Sequence, residues 1–292
     1  MAAPTLVLDR PLPGRVTSRQ VLQWLVPVVT LGLLGLLVAI ALAADLISPW
    51  SPTETALSAR LRAPFSEGYL LGTDGLGRDI LSRILHGSRV SLAVAAISVL
   101  FGGSTGTVLG ILTAYYGGWV DAWIMRLADI LLGFPLIVFA ILLAGIFGPS
   151  LNNVILILML VQWPRFARMA RGETLALKDR DYVVAARIVG MPTWQILWRH
   201  ILPHLMSSLL ILASLSAAGA VGLEAALSFF GAGVPPPAPS WGGMINDGRE
   251  FVTTAWWVSF FPGIALVLMV LSLNLLGDWL RDELDPRLRQ AG

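Results

Sequence analysis

The chain has 292 residues, 56% of them hydrophobic and 13% charged. Soluble domains carry roughly 25% charged residues, so this chain cannot cover a water-facing surface, and the bilayer has to be its solvent. A net charge of +2 excludes the strong basic field of a nucleic-acid binder, and the absence of cysteine removes disulfides, thiolate metal sites and thiol nucleophiles together.

Residues 1–20, with Pro4, Pro11, Pro13 and Gly14, read as a disordered cytoplasmic tail. The first apolar run, 21–44, is too long for the h-region of a signal peptide, which spans roughly 7–15 residues, and reads as a retained helix. Crossing the hydrocarbon core takes about 20 apolar residues. Further runs at 90–116, 122–147, 205–230 and 252–276 meet that length. The third carries Arg126 and Asp129, spaced to pair on one helix face, and the fifth is interrupted by Glu224. Residues 150–164, with Asn152 and Asn153, form a shorter run that parity requires as a span. The fold class is therefore all-α and polytopic, with about six transmembrane helices.

Six spans leave two long segments outside the bilayer, an outer one at 45–89 and an inner one at 165–204. With the N-terminus inside, the outer segments hold Arg60, Arg62, Arg78, Arg83, Arg89 and Arg249, and the other fourteen of the 20 basic residues lie inside. The bias favours both termini in the cytoplasm, against the weight of five arginines in 45–89.

The inner segment writes its own short helix. Asp179 or Asp181 is a candidate N-cap, Tyr182 to Val189 can coil, Gly190 suits the left-handed position after the helix, and Pro192 forbids continuation. Ala185 and Ala186 at its middle allow a close approach by a partner. Two readings stand: a helix docked in another protein's groove, or an amphipathic helix on the membrane surface.

Ala185-Ala186, Gly190 and Ile201-Leu202-Pro203 resemble the "EAA" loop of ABC importer permeases, with Val184 where that pattern has Glu. Three further blocks are similar to the dipeptide/oligopeptide/nickel branch. They are Gly72-Thr73-Asp74-Gly75-Leu76-Gly77-Arg78-Asp79, the run from Leu227-Ser228-Phe229-Phe230-Gly231 to Pro239-Ser240-Trp241-Gly242, and Asn274-Leu275-Leu276-Gly277-Asp278 with Leu284-Asp285-Pro286. The long segment after the first helix resembles the C-type member of a permease pair.

The resemblance implies a type I importer permease in a bacterial inner membrane, working by alternating access. It implies a heterodimer with a B-type permease, two ATP-binding subunits that hold ATP and Mg, and an extracytoplasmic solute-binding protein, with no cofactor in this chain. The coupling helix would dock through Tyr182, Ala185, Ala186, Arg187 and Gly190. The implied cargo is di- or oligopeptide, with nickel or another small solute as the alternative. An ion-driven secondary transporter would instead show inverted repeats and broken helices with paired charges at mid-membrane.

Signals of catalysis are weak. No G-x-x-x-x-G-K-[ST] is present, and Lys178, the single lysine, lacks the glycine-rich turn that cradles phosphate. Gly102-Gly103-Ser104-Thr105-Gly106 matches G-x-S-x-G, but a nucleophile elbow needs a strand–turn–helix setting. Here Gly102, Gly106 and Gly110 read as a small-residue ladder for helix packing. His200 and His204 have metal-like spacing, broken by Pro203 and without H-E-x-x-H. No enzyme activity is expected. Glu224, an acid deep in an apolar span, reads either as part of the translocation path or gate or as an interfacial residue bound to backbone or Arg249. Trp241, Trp256 and Trp257 read as an aromatic belt, and Pro235-Pro236-Pro237 as a stiff outer linker.

Overall fold

The computed structural model describes residues 18–284, with side chains from Pro27 onward. Expectations placed on residues 1–17, with Arg10 and Arg15, and on Asp285, Pro286, Arg287 and Arg289 lie outside the described residues, whereas the last three residues assigned to the tail, Ser18 to Gln20, already belong to the first helix. Within them the regular structure is helical, apart from two isolated β-bridges. The helices are α1 (Ser18–Ile47), α2 (Ile80–Tyr116), α3 (Gly118–Gly133), α4 (Leu136–Phe147), α5 (Leu151–Leu177), α6 (Asp181–Ile188), α7 (Thr193–Ile196), α8 (Leu202–Phe229), α9 (Trp241–Gly248) and α10 (Trp257–Leu284).

Four stretches are long and apolar enough to cross a membrane: Pro27–Ile47, α2, Thr193–Phe229 and α10. The pair α3–α4, bent by 99°, makes a fifth. Helix α5 is long but carries Arg165, Arg168 and Arg171 in its second half, so its apolar part is the short run seen in the sequence.

The chain is organised about two opposite ends of α2. At its start, Arg89 binds Asp45 and the Ala41 carbonyl, fixing the end of α1 there. At its finish, Lys178 donates to the Ala114 carbonyl at 3.2 Å, which places the end of α5 and the α6 loop beside it. Three apolar clusters fill the length between. One joins α4, the start of α5 and the end of α8 through Ala140, Val154, Ile157 and Leu227. One joins α5 to α6 and the start of α8 through Phe166, Ala170, Val183 and Leu205. The third packs α1, α8, α9 and α10 through Leu37, Val221, Trp241 and Met269.

The glycine ladder of α2 is the seam that holds the two ends in one frame. A Cβ on Gly102 would meet the Met159 carbonyl oxygen at 3.0 Å, and Cβ atoms on Gly106 and Gly110 would meet the backbone at Trp163 and Ala167, each at 3.0 Å from a carbonyl carbon. The four-residue step of the glycines matches the four-residue step on α5, so the two backbones run in contact. In lipid, where apolar burial gives no advantage between helices, such close packing supplies the cohesion. Ser104 sits exposed in the middle of this helix, without the strand-to-helix turn of a nucleophile elbow.

Several boundaries differ from the expected ones. Helix α2 begins ten residues earlier than the apolar run, because Asp79 caps it by accepting from the Ser82 amide and hydroxyl at 2.7 and 2.6 Å. The third span is broken at Phe134, whose extended backbone (φ −82°, ψ 143°) is what a following proline imposes. Helix α5 runs on to Leu177, so about the first third of the supposed inner loop, 165–204, continues that helix. The last span is α10, displaced toward the C-terminus relative to 252–276. Asp129 binds Arg168 instead of Arg126, because the bend of α3–α4 turns that face toward α5. Trp241 is not a belt residue: it is 1% exposed, and its indole donates to the Ile84 carbonyl at 3.0 Å.

Candidate docking site and translocation path

Helix α6 forms where the sequence placed it, and it ends in a Schellman arrangement. Gly190 stands at φ +83°, its amide donates to the Arg187 carbonyl, and the Met191 amide donates to the Ala186 carbonyl, both at 3.1 Å. Neither aspartate caps the start. Arg180 holds the N-cap position without a side-chain bond, and Asp181 is the first helical residue, where its charge favours the helix dipole. Arg187 in the last turn does the same at the other pole.

One face of α6 is fixed to the bundle. Val183 and Ala186 are buried against α5 and the start of α8, with Met191 packed on the same cluster. Tyr182 stacks on His204 at 5.5 Å and on His200 at 6.4 Å. The Arg187 guanidinium lies 5.5 Å over the Tyr115 ring at the end of α2. Each ring contact is worth about 0.5–1.5 kcal/mol. The paired alanines thus divide their work: Ala186 faces inward, and Ala185 faces out.

The outward face is apolar. Ile188 is 80% exposed and Val189 86%, and Trp194 on α7 is also exposed. A helix of this length with an anchored side and an uncovered apolar side has the shape that fits a partner's groove. Sequence reasoning missed Ile188, Val189 and Trp194 as part of this face. It set the His200/His204 spacing aside as a metal face in favour of a structural role, and the two rings make a ledge for Tyr182.

A five-residue π-turn, Leu197–Ile201, joins α7 to α8, with the Leu202 amide reaching back to the Leu197 carbonyl. Pro203 explains it: proline has no amide to donate, and its ring crowds the carbonyl four residues back. The Ile201-Leu202-Pro203 block is therefore a device that widens one turn.

The opposite end is held by charge. Asp74 accepts from the Leu76 and Arg78 amides at 2.8 and 3.0 Å and from the Arg78 Nε at 2.6 Å. Arg78 also reaches Asp247 on α9 at 3.2 Å, and Arg83 lies 3.7 Å from Asp74. These side chains, apart from that of Asp247, are nearly buried. Burial pushes the Asp247 carboxyl above its ordinary range, against the pull of Arg78 and Arg83. The Gly72–Asp79 block is thus a clamp between the segment after α1, the start of α2, and α9.

Glu224 lies in the last third of α8 and is fully buried. One of its carboxyl oxygens accepts from the Ser228 hydroxyl at 2.7 Å, and Ser228 in turn accepts from the Val234 amide at 3.2 Å. The other oxygen has no hydrogen-bond partner among the described residues.

An all-α bundle of membrane-length helices, with a half-anchored apolar helix at one end and a charge clamp at the other, is the architecture of a polytopic membrane protein. A family model described as "Binding-protein-dependent transport system inner membrane component" matches residues 106–290. The chain belongs to that family: it is a multi-pass membrane permease subunit of a binding-protein-dependent ABC importer, a system that works with ATPase and binding-protein partners.

Relatives cover nearly the whole chain. The glutathione transport system permease protein GsiD of Pectobacterium atrosepticum is 45% identical over 87% of this chain and 84% of its own length. The dipeptide transport system permease protein DppC of Alkalihalophilus pseudofirmus is 38% identical over 95% and 91%. The di/tripeptide transport system permease protein DppC of Pseudomonas aeruginosa is 40% identical over 88% and 86%. Among solved structures, an inward-facing form of the MetNI methionine ABC transporter has a chain with the same fold, at TM-score 0.56 and 21% identity, covering 68% of this chain and 94% of that one.

Proposed function

We propose that this chain carries di- or oligopeptides across a bacterial inner membrane as the C-type half of a permease heterodimer. Both termini and α6 then lie in the cytoplasm, and the Asp74–Arg78–Asp247 clamp lies outside. Relatives named for dipeptide, di/tripeptide, peptide and glutathione transport support the cargo class and do not favour nickel.

The observation that carries the reading is α6 itself. Its Schellman stop, its ring anchors and its uncovered Ala185, Ile188 and Val189 form a rigid element that can take up motion from an ATP-binding subunit and pass it to α2, α5 and α8. Tyr182, Ala186, Arg187 and Gly190 set its pose, and Ala185 meets the partner. Alternating access follows when such packed elements move as bodies between two arrangements. Glu224, with one oxygen unmatched in a closed core, stands where opening of the bundle would admit water and cargo, and acts in the gate.

The test is Gly190→Val. A β-branched residue at φ +83° costs about 1–2 kcal/mol, so co-purification of the ATP-binding subunits should fall roughly tenfold while membrane insertion is retained. Unchanged co-purification would remove the docking role. Cargo is checked separately, by ATP-driven uptake of a labelled dipeptide against nickel in vesicles holding the assembled importer.

A further inference from the structure

Two residues other than glycine have positive φ among the described residues, Leu61 and Phe65, and both lie in the segment after α1. Leu61 packs on the core, but Phe65, at φ +62°, is 81% exposed. A phenylalanine is strained in the left-handed region, and its ring gains nothing in water. Glycine would relieve the first problem and a polar side chain the second, so neither backbone nor solvation explains this residue.

The frame around it is stiff. The Phe65 amide donates to the Leu70 carbonyl at 3.1 Å, and Ser66 and Tyr69 pair in a short bridge. Trp50 stacks on Tyr69 at 5.6 Å and donates to the Gly68 carbonyl at 2.9 Å. The Arg62 guanidinium lies 5.9 Å from the Tyr69 ring centroid. The tip therefore projects Phe65 from a pre-set hairpin, with Leu57 and Leu70 also exposed.

The surroundings choose the partner. Glu67, exposed in the same turn, could not follow Phe65 into hydrocarbon without a large cost, which argues against a lipid anchor. Exposed Arg60, Arg62, Glu54 and Glu67 make a rim of both signs. An apolar centre with such a rim is the anatomy of a non-obligate protein interface, and the transport family is defined by its dependence on a binding protein.

We infer that the 65–70 hairpin is a landing point for the solute-binding protein, with Phe65 as the anchor residue. This rests on the proposed sidedness, in which the hairpin faces outward. Little is lost in pre-ordering such an anchor, so truncating it should weaken docking strongly.

The experiment uses the assembled importer in nanodiscs, with its own binding protein, peptide-loaded, titrated against ATPase rate. Phe65→Ala should raise the half-saturating concentration by roughly tenfold or more and leave the rate without binding protein unchanged. Phe65→Gly, which relieves the backbone, should behave like Phe65→Ala, whereas Phe65→Tyr should stay close to the original. A Phe65→Ala titration that overlays the unaltered one would overturn the proposal. The chain has no cysteine, so Phe65→Cys in cells reports sidedness cleanly. Labelling by an impermeant maleimide from outside supports the frame, and labelling from the cytoplasmic side alone would overturn the sidedness and the landing point with it.

Discussion

The two ends of the bundle are fastened by different physics. At the α9 end, near-buried Arg78, Arg83 and Asp74 interlock with the more exposed Asp247 across three stretches of chain, and a capping aspartate starts α2. At the α6 end, rings and small apolar side chains hold a short helix whose outer face is left bare. Buried ion pairs demand fixed geometry and punish partial opening. Stacked rings and aliphatic contacts tolerate sliding. The contrast suits the proposed function, in which the chain is braced at the α9 end and driven at the α6 end.

The comparison breaks most completely at the seam both ends share. Gly106→Leu would drive a side chain into the α5 backbone, within 2.8 Å of the Phe166 Cβ already at the first added atom. Overpacking of this kind should cost upwards of about 3 kcal/mol, and little monodisperse protein should be recovered in detergent. Normal recovery would show that α2 and α5 are not held by backbone contact.

A sharper cut separates the ends. Arg78→Ala leaves Asp74 and Asp247 only the longer ionic contacts of Arg83, at 3.7 and 4.0 Å, and should destabilise the α9 end by about 2 kcal/mol. The melting temperature should fall while ATP-binding subunits still co-purify. Loss of co-purification with an unchanged melt would reverse the assignment of brace and drive.

The smallest effect concerns pH. Because burial raises the Asp247 carboxyl, the folded chain holds that proton more tightly than the unfolded one. The resulting stability is complete below the ordinary aspartate range and is lost as pH rises through the raised value. Asp247→Asn should flatten that slope, so the variant gains on the parent as pH rises from acid toward neutral. Melting curves across that range check it, and parallel curves would mean that the clamp does not titrate.

Much of this was legible in the residues. Gly190 and Pro192 fixed the stop of α6 because each acts through its own backbone, and the four-residue glycine spacing announced the α2–α5 seam. The break at Phe134 was also written, in Gly133-Phe134-Pro135, but the apolar run across it hid the proline. Other features could not be read along one strand of text. Trp241 looks like a belt residue until α2 arrives with the Ile84 carbonyl. Asp129 finds Arg168, not Arg126, only because two helices meet at an elbow. The inward and outward division of Ala185 and Ala186, and the ledge of His200 and His204 under Tyr182, depend on rotations that local periodicity leaves free.

The π-turn at Leu197–Ile201 has a geometrical consequence. One surplus residue in a helix advances its azimuth by about 100°. The stretch below the turn is thereby aimed at α6 independently of the stretch above, which looks toward α2 and α10. The rod can move as a single shaft while its two halves present unrelated stripes, so changes to the stripe on α8 need not re-aim the half beside α6.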